Sequence, residues 1–100
     1  MEKIIADFDL VIGAMPGDLG YGIIKRVIEA GKNMVDISFF PEESEDLHHL
    51  AKSKNVTVVI DCGIAPGVSN MILGYHHKNM QVDKYECVVG GLPIEREWPW

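Results

Sequence analysis

A β-branched run, Thr57-Val58-Val59-Ile60, leads without a break into Asp61-Cys62-Gly63-Ile64-Ala65-Pro66-Gly67, and a helical apolar pattern resumes at Val68. In an open parallel sheet, ligands sit outside the carboxyl ends of the strands, where such a turn places backbone N–H groups of a helix N-terminus. This turn is therefore the first candidate ligand site, and the helix that follows predicts core contacts from Val68, Met71, Ile72 and Tyr75.

The same alternation runs through the rest of the chain. Residues 9–14 form a short, almost continuous apolar run closed by Met15-Pro16-Gly17, which predicts a strand buried on both faces. From residue 19 to 30, Ile23, Ile24, Val27 and Ile28 share one helical face while Lys25, Arg26 and Glu29 take another, and Gly31 supplies a left-handed stop. Residues 34–38 predict a second strand. Pro41 suits a first helical position, with Glu42 and Glu43 near the positive end of the dipole, and this helix runs to about Lys54 with Leu47, Leu50 and Ala51 inward. Residues 56–60 and 85–89 predict a third and a fourth strand, the last ending at Gly90-Gly91.

Strands separated by helices of ten to fifteen residues imply βαβ crossovers. The expected class is α/β: a mainly parallel sheet of three to four strands with flanking helices. A free-standing dinucleotide-binding fold would carry GxGxxG after its first strand. Gly17-Asp18-Leu19-Gly20-Tyr21-Gly22 has the wrong spacing and reads as a flexible start to a helix.

Composition excludes some partners. With 15 acidic against 9 basic residues and a net charge of −6, the chain lacks the clustered Lys and Arg that nucleic acids or an anionic membrane surface require. Its longest uncharged apolar run, residues 10–16, is too short to span a bilayer. Two cysteines without CxxC spacing, Cys62 and Cys87, and no signal-peptide pattern at the start favour reduced thiols and a cytoplasmic location.

Four blocks of residues carry a family likeness. Asp9-Leu10-Val11-Ile12, Val35-Asp36-Ile37-Ser38, the 61–67 turn and Gly90-Gly91-Leu92-Pro93 resemble, in order and spacing, successive signatures of the saccharopine dehydrogenase family. The chain looks most similar to its lysine dehydrogenase-like branch, where Asp-Ile-Ser-Phe-Phe-Pro-Glu and Gly-Gly-Leu-Pro followed by Arg-Glu-Trp-Pro are typical. The resemblance implies a partial Rossmann-like fold. Residues 1–91 would be the second half of an NAD(P)-binding domain and residues 92–100 the start of a substrate and dimerisation domain.

Members of this family move a hydride between NAD or NADP and a carbon bearing an amine of lysine or a related amino acid. The resemblance places Ala14, Met15 and Pro16 in the loop beside the ribose and nicotinamide, and Asp36, Ile37 and Ser38 at the second strand end. It places Cys62, Gly63, Ala65, Pro66 and Gly67 in the turn under nicotinamide and substrate. No catalytic acid or base is carried over. Ala65, Val89 and Phe39 stand where saccharopine-forming members have Asp, Cys and Tyr, which favours lysine deamination over saccharopine chemistry. The isolated chain is expected to be inactive and, with its first strand an open edge, to form a homo-oligomer. A non-catalytic α/β assembly module is the alternative.

Plainer roles compete at each of these positions. Asp36 and Asp61 also suit turn closure and helix capping. Cys62, beside an apolar strand, reads as a small buried residue. His48-His49 and His76-His77 point about 100° apart on a helix, which suits a solvated surface and no metal site. Trp98 and Trp100 read as apolar residues that pack on a further domain.

Overall fold

The computed structural model describes residues 2–90 and 94–95. Three parallel strands, β1 (Leu10–Gly13), β2 (Asn33–Asp36) and β3 (Val58–Val59), form one sheet in the order β1-β2-β3. A short α1 (Glu2–Ile5) precedes them, α2 (Gly17–Glu29) joins β1 to β2, α3 (Glu45–Lys54) joins β2 to β3, and α4 (Val68–Asn79) follows. This is the α/β architecture that the alternating pattern implies, and it is consistent with the partial Rossmann-like fold that the resemblance implies.

The strand register explains the core. Val11 lies beside Met34 and Met34 beside Val58, so these residues share one face with Gly13 and Asp36. Onto that face pack Ile24, Val27 and Ile28 of α2 and Leu47 of α3, which with Met34 make the buried cluster. Each such side chain contributes about 1.5–3 kcal/mol when fully buried. Asn33 ties β2 to the start of β3, its Oδ1 accepting the Thr57 N–H at 2.8 Å.

The opposite face is bare. Leu10, Ile12, Ile37 and Val59 alternate with the core residues and remain 45–75% exposed. The expectation that the first strand is buried on both faces is corrected: no helix among the described residues covers this side.

Three other expectations change. Helix α3 begins after Ser44, not at Pro41, and its acidic first turn is Glu45 and Asp46. The reason lies upstream, where the Phe40 ring packs edge-on against Tyr21 at 5.8 Å and holds the 39–40 segment over α2 before the chain can wind. The proposed fourth strand does not form. Residues 84–90 hold no regular structure, and Tyr85 instead donates its hydroxyl to the Ser69 carbonyl of α4 at 3.1 Å. Finally, Val68, Met71, Ile72 and Tyr75 are 47–69% exposed, so α4 adds nothing to the buried cluster despite its core-like spacing. The Gly91-Leu92-Pro93 block, the boundary at residue 92 and both tryptophans lie outside the described residues.

Candidate functional site at the carboxyl edge of the sheet

The three strands end side by side, and main-chain hydrogen bonds continue past them. Ile37 N–H donates to the Gly13 carbonyl at 3.0 Å, and Cys62 N–H donates to the Asp36 carbonyl at 3.0 Å. These two bonds bring together the segments around Ala14-Met15-Pro16, Asp36-Ile37-Ser38 and Cys62-Gly63-Ala65-Pro66-Gly67. Ala14, Met15, Pro16, Ile37 and Pro66 are exposed there, Cys62, Gly63 and Ala65 are half-buried, and Asp36, Ser38 and Gly67 are buried.

Asp36 is the hub of this edge. Fully buried, it uses Oδ1 to accept the Ser38 N–H at 2.8 Å and the Ser38 hydroxyl, while its own carbonyl holds Cys62. Oδ2 has no hydrogen-bond partner. A buried carboxylate oxygen with no donor is costly, so its surroundings demand an explanation.

Glycines make the room. A Cβ at Gly13 would overlap Asp36 Oδ2, one at Gly20 would overlap Ser38 Oγ, and one at Gly17 would overlap the Phe39 carbonyl. The 17–22 glycine run is thus no flexible helix start. Its first two glycines let the first turn of α2 lie directly on the loop after β2. Sequence reasoning missed this role, which depends on the loop after β2 lying against α2 and which no local spacing signals.

The turn before α4 is folded tightly on itself. Gly63 bridges to Gly67, Val68 N–H donates to the Gly63 carbonyl at 2.8 Å, and Ser69 N–H to the Ile64 carbonyl at 3.1 Å. Gly67 sits at φ 134°, where only glycine is comfortable, and its N–H donates to Asn70 Oδ1 at 3.2 Å. Ala65-Pro66 is a cis peptide. The expectation that this helix end presents its N–H groups to a ligand is corrected, because the Gly67, Val68 and Ser69 amides are already engaged. Helix α2 likewise starts behind Pro16 with no side-chain cap, and its first turn lies against the Phe39 carbonyl.

Asp61 leaves β3 in the left-handed region at φ 58° with its side chain exposed, a turn role. Cys62 Sγ lies 3.6 Å from the Ile60 carbonyl and half-buried. Among the described residues no three His, Cys, Asp or Glu side chains converge as a metal site would require, and His49 lies 3.4 Å from Glu45 on the exposed face of α3. A cavity of about 530 Å³ opens between α2, α3 and β3.

The strand-end loops are exposed, and beneath them the buried Asp36 Oδ2 has no hydrogen-bond partner.

No family model matches the chain. Among curated proteins it is similar to alpha-aminoadipic semialdehyde synthase of Arabidopsis thaliana, 30% identical over 96 residues that make up 91% of this chain and 9% of the relative. It is similar to saccharopine dehydrogenase [NADP(+), L-glutamate-forming] of Pyricularia oryzae, 28% identical over 93% of this chain and 22% of that protein. The Saccharomyces cerevisiae protein of the same name is 22% identical over 97% of this chain and 23% of its own length. The chain therefore spans less than a quarter of these relatives.

Proposed function

This chain belongs to the saccharopine dehydrogenase family, and on that premise we propose that it forms the nicotinamide-side half of an NAD(P)-binding domain. The enzyme it serves acts on the CH–NH or CH–NH2 group of lysine or a related amino acid, in the cytoplasm. The observation that carries this reading is the convergence of three strand ends, joined through Ile37–Gly13 and Cys62–Asp36 hydrogen bonds, at one exposed edge.

NAD or NADP, when bound, supplies or accepts the hydride. The chain's own part is to bind and orient. Met15 and Pro16 flank the α2 N-terminus, Ile37 offers an exposed apolar side chain, and Gly63 lies close to Ile37, whose carbonyl oxygen would be 3.9 Å from a Cβ at Gly63. None of these groups can hold a transferable proton. Phe39, Ala65 and Val89, all apolar, support a lysine dehydrogenase-like substrate over saccharopine, and these 100 residues, spanning less than a quarter of their relatives, are inactive by themselves.

The test is a nuclear magnetic resonance titration of NADH and NADPH into the labelled chain. Shifts confined to the amides of residues 13–20, 36–38 and 62–67 are the expected result. No shift at these positions would overturn the proposal. It would favour the second reading, a non-catalytic α/β assembly module, to which the fully engaged amides before α4 lend support.

A further inference from the structure

The unused feature at this edge is the buried carboxyl of Asp36. Its carboxylate is fully buried, its Oδ1 is held by Ser38, its Oδ2 faces Gly13 without a donor, and no cation pairs with it among the described residues. Retaining an unpaired buried charge costs several kcal/mol relative to an apolar isostere. Ser38 would be equally well tethered by a neutral amide oxygen, so tethering alone does not account for a carboxylate at this position.

We propose that Asp36 is a specificity-determining residue that biases the strand-end site toward the oxidised, positively charged nicotinamide ring over the reduced, neutral one. This rests on the nucleotide-binding reading above. The argument is electrostatic. Oxidised and reduced nicotinamide nucleotides share phosphates and riboses and differ by one positive charge on the ring, so only a nearby fixed charge separates their affinities to first order. A negative charge beneath the loops around Met15 and Ile37 attracts the cationic ring. The low-dielectric cover given by Gly13, Met34 and the first turn of α2 keeps solvent from screening it.

Asp36 makes no direct contact with ligand in this account, being fully enclosed. It acts through the field at the loops it supports. Gly13 is what allows this, because any side chain there would push the carboxylate out of register.

The experiment measures the Kd of oxidised and of reduced nicotinamide mononucleotide on the unmodified chain, on Asp36→Asn and on Ser38→Ala. Oxidised nucleotide is expected to bind the unmodified chain more tightly than reduced. In Asp36→Asn, which keeps the shape and the Oδ1 acceptor, the preference is expected to fall by about three- to tenfold, the size of one partly screened charge interaction. Ser38→Ala removes the hydroxyl hydrogen bond to Oδ1, keeps the main-chain N–H bond and keeps the carboxylate, so it is expected to lower both affinities and leave their ratio unchanged. A preference for reduced nucleotide in the unmodified chain, or an equal ratio in Asp36→Asn, would overturn the inference while leaving nucleotide binding intact. Absence of binding by both forms would overturn the nucleotide-binding reading and this inference with it.

Discussion

The α-carbon of Gly13 lies against the carboxylate of Asp36, so closely that a single added methyl group would overlap Oδ2. The two residues end neighbouring strands in register and share the inward face. Gly13 also accepts the Ile37 N–H, which makes this contact the seam between the first two loops of the candidate site.

Gly13→Ala therefore has no cheap accommodation. Met34 Cε, the other atom in the way, is a flexible end, but Asp36 is buried and tied to Ser38. The expected loss is about 1–3 kcal/mol of unfolding free energy, the range for overpacking a filled interior. Urea denaturation checks it, and an unchanged midpoint would show that Asp36 is free to move.

Glycines of α2 should respond with opposite signs. Gly22 meets nothing within 4 Å, so Gly22→Ala is expected to stabilise the chain by roughly 0.5–1 kcal/mol through helix propensity. Gly17→Ala enjoys no such gain, because its Cβ would overlap the main-chain carbonyl of Phe39, and it is expected to destabilise. Thermal unfolding of the pair decides the matter. Stabilisation by both would mean that α2 does not rest on the loop after β2.

Strand β1 is an edge with no charged residue or proline among its four positions, and Ile12 on its bare face is 75% exposed. Such an edge pairs with other chains. We expect light scattering at high concentration to give a mass above the 11.1 kDa of one chain, and Ile12→Lys to lower it. A monomer at every concentration would refute this.

The neighbouring Cys87 thiol and, to a smaller extent, desolvation hold the Tyr85 phenol above its ordinary value of 10.0. A raised value means the neutral phenol persists to higher pH. In an alkaline absorbance titration the component lost in Tyr85→Phe should have its midpoint above 10.0, and Cys87→Ala should move it down. A Tyr85 component that Cys87→Ala leaves unmoved would contradict the contact.

Where local pattern and burial coincide, the sequence was a sound guide. Ile24, Val27 and Ile28 are read correctly from 3.6-residue spacing because α2 lies on the sheet for its whole length. The same spacing misleads for Val68, Met71, Ile72 and Tyr75, since periodicity shows which residues share a face and not whether anything covers that face. Residues 85–89 have strand-like composition, but a strand needs a partner with free hydrogen-bonding groups, and Tyr85 is drawn to Ser69 instead. The candidate site was legible as three strand ends. Its internal wiring was not, because the Asp36–Gly13 contact joins residues 23 positions apart, and the engagement of the Val68 and Ser69 amides depends on how the 63–67 turn closes.

The central claim is that these strand ends form a preformed nicotinamide-side nucleotide site. The most direct measurement is a calorimetric titration of NADH and NADPH into the purified chain. The account predicts saturable binding of at least one of them with a Kd at or below about 1 mM, some −4 kcal/mol. A flat titration for both nucleotides at millimolar concentration would contradict it.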